Sequence, residues 1–207
     1  MAFKLSKTNI ILFFVFVLTA AVVLAVPKIG AVTAPADAKP GSSLSQRIAQ
    51  RKNERQIKLD QNNILRIQGQ CTFTQSKVRT LSESYTETID NRDKVYRSID
   101  AKLWIIIGSL KLIGKDTFSL EQQRLVYAKN INKFDNLASQ FKQTIDDVTA
   151  MNCKADPNGF MALIETARLY NDQIRQSFQE IKSYVIDEIK PTITQHANDL
   201  KIKTTTE

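Results

Sequence analysis

Residues 120–148 read LEQQRLVYAKNINKFDNLASQFKQTIDDV. Taken every seven residues they give Leu120, Tyr127, Phe134, Phe141 and Val148, and four places after each come Arg124, Ile131, Ala138, Ile145 and Asn152. This is a heptad seam, apolar along one stripe and rich in Lys, Asn, Asp and Gln elsewhere. A helix with such a stripe gains its stability by burying it against other helices. The stretch therefore predicts an all-α fold and sets the task of finding its partner segments.

The chain has 207 residues, 43% apolar and 24% charged, with few Gly and Pro, which suits one helical domain after the N-terminal segments are set aside. Its formal charge of +8 is localised. Between Leu44 and Thr80 eight Lys and Arg face only Glu54 and Asp60, whereas from Leu81 onward 17 Lys and Arg meet 18 Asp and Glu. The basicity belongs to one segment, not to the body.

Lys4 and Lys7 precede an unbroken run from Ile10 to Val26 whose only polar member is Thr19. At about 1.5 Å per residue the run spans roughly 26 Å, the lower limit for crossing a bilayer core. Residues 1–26 are read as an uncleaved membrane anchor or a cleaved signal peptide, with Val23 and Ala25 at the small-residue positions of a cleavage site. No cysteine follows, so a lipoprotein is excluded. Lys4 and Lys7 favour the N-terminus inside and the body extracytoplasmic. Residues 27–43, with Pro27, Gly30, Pro35, Pro40 and Gly41 among small residues, read as a tether with a reach of roughly 20–25 Å.

Leu44 is expected to open a helix running, with or without a kink, to about Ile113. Ile57, Ile64, Cys71, Val78 and Tyr85 keep a seven-residue step, with Ile67, Thr74, Leu81 and Thr88 as the companion row. Toward its start the stripe thins to Leu44 and Ile48, so residues 44–70 are expected to be a charged stalk. Its basic residues are Arg47, Arg51, Lys52, Arg55, Lys58 and Arg66. They are either a solvated face or a contact for anionic lipid or an anionic envelope polymer. Nucleic acid is disfavoured, since no aromatic side chain interleaves these charges before Phe73.

The stripe continues through Val95, Tyr96, Ile99, Leu103, Ile106 and Leu110, after which Gly114 supplies a C-cap and Asp116 an N-cap. So short a connection predicts antiparallel neighbours whose opposing residue numbers sum to about 230. In that register Cys153 meets Cys71 only if residues 151–153 leave the helix extended, at about 3.3 Å per residue. Two cysteines in an extracytoplasmic body are read as one intramolecular disulfide; in a reducing compartment they would be unpaired core thiols. Asp156 and Pro157 then open a third helix with the stripe Phe160, Leu163, Ala167, Tyr170, Ile174, Phe178, Ile181, Val185 and Ile189. Pro191 is expected to end or kink it. Residues 71–191 thus read as a long antiparallel hairpin closing into a three-helix bundle or coiled coil, and 192–207 as a polar tail.

The order Gly114-x-Asp116-Thr117, Cys153, Asp156-x-x-Gly159-Phe160, Ala167-Arg168 and Ile189-Lys190-Pro191 resembles uncharacterised helical proteins of bacterial origin that have an N-terminal membrane segment and one cysteine pair. The resemblance covers roughly Cys71 to Pro191 and implies the architecture without a chemistry.

No catalytic set is apparent. The single histidine, His196, lies in the tail, far from a Cys71–Cys153 pair, and the six glycines form no phosphate loop. Asp146 and Asp147 are expected to be solvated. Neither cofactor, metal nor enzymatic activity is expected. The segment Leu103–Ile113, which includes Trp104, Ile106, Ile107, Leu110 and Leu112, is apolar on nearly every helical face. Either Phe118, Leu120, Ile189 and Ile193 cover it, or it is an interaction tip. The sequence is best read as a non-enzymatic, membrane-tethered extracytoplasmic spacer or protein-interaction module. Alternatives are an envelope-binding protein acting through its basic stalk and a helical effector with a membrane-inserting tip. Homo-oligomerisation of the stalk is disfavoured by arginines at core-like positions.

Overall fold

The computed structural model describes residues 41–205; the run expected to be an anchor or signal peptide, and nearly all of the tether, lie outside the described residues. The described residues are all-helical with no strand. They form α1 (Leu44–Arg55), α2 (Gln61–Leu112), α3 (Phe118–Ala150), α4 (Pro157–Tyr184), a π-turn (Val185–Ile189) and α5 (Lys190–Thr205). Among the described residues no helix is long and apolar enough to cross a membrane.

α3 is the centre, as its seam requires. Leu120, Tyr127, Ile131, Phe134, Phe141, Ile145 and Val148 are all buried. α2 and α4 both pack on α3 and meet each other only marginally. α2 and α3 are antiparallel, joined by a turn in which Gly114 takes φ +71°, the left-handed conformation that ends a helix cheaply only without a Cβ. Lys115 and Gly114 donate there to the carbonyls of Leu110 and Lys111, and the Asp116 carboxylate accepts from the Phe118 N–H at 2.9 Å. Across the hairpin Tyr96 meets Phe134 edge to face at 5.2 Å, and Tyr85 meets Phe141 at 4.9 Å.

The row of α2 that accompanies Cys71, Val78 and Tyr85 differs from the expected one. Leu81 is 70% exposed and Thr88 lies on the surface, whereas Gln68, Gln75, Ser82, Ile89 and Tyr96 turn inward. The seam thus steps by four, then three, and admits polar residues because two of them are needed at the hairpin's closed end, described below.

The helix expected from Leu44 to about Ile113 is broken. Gln56 adopts φ 49° and ψ 36°, residues 57–60 are non-helical, and Asp60 caps α2 by accepting from the Asn63 N–H at 2.8 Å. α1 folds back onto α4. This explains why α4 is buried on more than its expected stripe: Ala162, Thr166, Leu169 and Ser177 are enclosed in addition to Phe160, Leu163, Ala167, Tyr170, Ile174 and Ile181. The segment 44–55 is therefore a fourth packed helix instead of a solvated stalk.

Pro191 does not end the chain's last helix. A proline cannot donate to the carbonyl four residues back, and its ring clashes with it. The π-turn just before it lengthens the hydrogen-bond step, with the Lys190 N–H donating to the Val185 carbonyl, and helix continues through Thr205. Gln123 clamps this junction by donating to the Glu188 carbonyl at 3.0 Å and the Thr192 hydroxyl at 2.9 Å.

Two outcomes follow for stability. Leu81→Ala is expected to change unfolding free energy by no more than about 0.5 kcal/mol, while Ile89→Ala, packed against the core, costs about 2 kcal/mol; urea unfolding checks this, and the reverse order would restore the other register. Burial pushes the Tyr96 phenol up to about 12 and raises Tyr127 as well. A folded-state value above the unfolded one of about 10 means that this contribution is whole below pH 10 and is lost as pH climbs toward 12. Alkaline unfolding monitored by phenolate absorbance should begin in that window and recede in Tyr127→Phe.

Candidate functional site

The closed end of the hairpin is built around Cys71 and Cys153, which form a disulfide with their Cα atoms 5.8 Å apart and are both buried. The extended exit from the helix is what lets them meet. α3 stops at Ala150, Met151 turns extended at φ −77° and ψ 157°, and the chain reaches Cys71 in two further residues. One turn along α2, the Gln75 amide donates to the Val148 carbonyl at 2.8 Å and the Met151 carbonyl at 2.9 Å; Gln68 donates to the Lys154 carbonyl at 2.9 Å. These glutamines satisfy carbonyls that a helix end leaves without partners. Sequence reading missed them because a polar residue in a seam gives no sign of its target. Val148, Met151, Phe160 and Leu163 pack around the disulfide, with Ile48 and Ile67 against them.

The basic segment is largely consumed here. Arg47 forms a two-pronged pair with Asp147, Nε to Oδ2 at 2.7 Å and Nη2 to Oδ1 at 2.6 Å, and also reaches the Ser42 carbonyl. Asp147, expected in solvent beside Asp146, has a side chain only 5% exposed. Arg51 is buried, donating to the Tyr170 hydroxyl at 3.0 Å and to Glu54 at 2.8 Å, with its guanidinium 5.6 Å from the Tyr170 ring centre. Burial of a cation is tolerated where its donors and its flat face are both occupied. Lys52 pairs with Asp156 at 3.2 Å, and Arg55 donates to Thr166 at 3.4 Å. Only Lys58 and Arg66 of the six remain fully on the surface. Asp156 doubles as the α4 cap, accepting from the Gly159 N–H at 2.9 Å. A Cβ at Gly159 would lie 2.3 Å from Asp156 Oδ2 and 2.8 Å from Ile48 Cγ2, so glycine there is what allows α1 to seat.

At the opposite end the expected tip divides into two faces. Leu103, Ile107 and Leu110 are buried, Ile106 partly so, with Leu120, Ile189 and Ile193 in the same core. Trp104 (62%), Leu112 (90%) and Phe118 (68%) are exposed, as are Ile105, Ile113 and Leu125. Phe118 therefore does not cover the segment. α4 arrives on one side of the hairpin only, and the outer side of α2 has no helix against it. Arg124 stacks 4.8 Å over the Trp104 ring while pairing with Asp100 at 2.8 Å, and Lys111 pairs with Glu121 at 3.0 Å. A hydrogen bond from Thr117 first, and then Lys111, hold the Glu121 carboxyl below its ordinary range.

Among the described residues no group of His, Cys, Asp and Glu converges so as to hold a metal ion, and His196 lies on α5, apart from the bonded cysteines. The most pronounced surface recesses are an open groove beside Pro191, lined by Ile186, Lys190 and Asn198, and another between Arg79, Glu83, Lys142 and Asp146. No family model, curated protein or solved structure matches this chain.

Gln75→Ala is expected to destabilise by about 1–3 kcal/mol through the carbonyls it strands, with the last turn of α3 exchanging its amide hydrogens faster. Unchanged exchange at residues 148–151 would remove Gln75 from its capping role.

Proposed function

We propose that this protein is a non-enzymatic, membrane-tethered extracytoplasmic helical module that holds an apolar hairpin tip away from its tether and presents it as a contact surface. The observation that carries this reading is the polarity of the body. One end is closed by a buried disulfide and a net of charged and amide contacts; the other exposes Trp104, Ile105, Leu112, Ile113, Phe118 and Leu125 on two adjacent helices. From Asp147, where Arg47 at the start of α1 is held, to Phe118 at the tip is 29 helical residues, about 44 Å at 1.5 Å each. A hairpin of that length, bolted at its base, acts as a spacer.

The bonded cysteines support an oxidising surrounding, since such bonds persist outside the cytoplasm and are rare within it. The apolar N-terminal run supplies the tether in this reading. The alternative in which the basic segment binds an anionic polymer is weakened: Arg47, Arg51 and Lys52 engage Asp147, Tyr170 and Asp156 within the same fold.

Thiol trapping followed by non-reducing mass spectrometry on the full-length protein in its own membrane tests the compartment. The expected result is a protected Cys71–Cys153 peptide pair. Two alkylatable thiols in the folded protein would place the body in a reducing compartment and overturn the extracytoplasmic assignment.

A further inference from the structure

We infer that the surface the hairpin tip contacts is a lipid bilayer carrying anionic head groups, which the tip enters shallowly. This deepens the reading of the tip as a contact surface and depends on it. Three features of the tip point to lipid. The first is the kind of side chain exposed: Leu112, Ile113 and Phe118 crown the turn, while Trp104 lies eight residues, or about 12 Å, back from Leu112 along α2. An amphipathic element settles about 5–10 Å into the boundary of head groups and acyl chains. With the crown at that depth the indole comes to head-group level, where tryptophan concentrates in membrane proteins.

The second feature is charge. Arg124 is matched by Asp100 and Lys111 by Glu121. This leaves Lys102, Lys115 and Lys129 without an acidic partner among the described residues, against Asp116 alone. Lys102 precedes Ile105 by three residues and Lys129 follows Leu125 by four, so each sits one helical turn from the apolar strip. The residues from Leu81 onward carry as many acids as bases, near enough, so this cationic rim is a local feature. Lysines flanking an apolar face suit an anionic surface, because their stems lie along hydrocarbon while the ammonium groups stay with the phosphates.

The third feature is size. Six side chains of this exposure amount to a few hundred Å², the level at which a surface patch usually has a use. That falls short of the roughly 800 Å² per partner of a standard protein–protein interface. A second copy of the chain therefore finds too little area here for a stable pair, whereas a bilayer adapts its surface to a small protruding crown.

Trp104 is the only tryptophan in the chain, so its emission reports the tip alone. The experiment holds the full-length protein in discs of phosphatidylcholine and adds vesicles of mixed phosphatidylglycerol and phosphatidylcholine, with bromine on the upper acyl chains as a quencher. Trp104 emission is expected to start red, then shift to the blue and be quenched on vesicle addition. The response should weaken as salt shortens the screening length from about 10 Å at 0.1 M to about 3 Å at 1 M. Leu112→Asp should lower the apparent vesicle affinity by about tenfold or more, because it exchanges an aliphatic side chain for a charge at the point of entry. Leu112 is 90% exposed, so this change leaves the fold intact, which circular dichroism and the retained disulfide verify. Absence of quenching by any vesicle overturns the proposal, as does quenching that Leu112→Asp leaves unchanged. Blue emission that depends on protein concentration without vesicles, and is lost in Leu112→Asp, would name a second copy as the occupant; the lipid assignment would then fall while the contact-surface reading stood. If Leu112→Asp alters neither lipid binding nor self-association, nor binding to the protein's own envelope extract, the contact-surface reading falls with it.

Discussion

The placement of every other element depends on where α3 lets go of its helix. A helix end strands its last carbonyls, and here that end is buried, so something must answer them. Gln75, projecting from the opposite helix, does so, and the disulfide one turn away ties the extended exit at Cys153 to Cys71. Together these contacts fix the sliding position of α2 against α3. In the chain-entropy account a link spanning 82 residues of sequence contributes about 4.5 kcal/mol by restricting the unfolded chain. The glutamines add direction to it, because an amide reaches its carbonyls in only one register.

From this base the remaining packing follows. Asn152 and Asp156 shape the short connection, so α4 starts beside the disulfide and returns along α3. α4 then offers a second face, and α1 takes it: Ile48 seats over Gly159, while Arg47, Arg51 and Lys52 each find a partner on α3, α4 or the α3–α4 connection. The charge of the basic segment thus serves docking. Asymmetry at the far end has the same origin. With α4 on one side and α1 near the base, nothing covers the outer face of the α2–α3 tip, and its apolar side chains stay in solvent.

Such an arrangement separates two roles along one rod. The base is covalently closed and densely paired, so it holds shape under strain from a tether. The tip is apolar, rimmed by lysines and supported from behind by Leu103, Ile107, Leu110, Leu120 and Ile189, a rigid backing for whatever the exposed face meets. Rigid backing matters for an interaction surface, because side chains already held in place lose less freedom on contact.

Much of this was legible in the linear chain. Tyr127, Phe134 and Phe141 announced a central helix by their spacing; Gly114 announced the hairpin turn; Asp156 and Pro157 announced the start of α4. Those are signals of local geometry, carried by residues whose own shape or hydrophobicity decides the outcome. What depends on a partner remote in sequence was not legible. Whether Arg51 faces water or Tyr170, whether Gln75 or Thr74 turns inward, and whether Trp104 is covered are settled by which element arrives on each side. The break at Gln56 is of this kind too, since the helical pattern runs through it and only the docking of α1 on α4 requires the chain to reverse. Pro191 likewise forbids a regular helix step, but the π-turn that carries the helix past it is held from outside by Gln123. The sequence by itself determined helices, their order and the turn between the two longest; tertiary structure alone decided the fourth packing face and the bare tip, because burial of a polar or apolar side chain depends on its neighbours and not on its own chemistry.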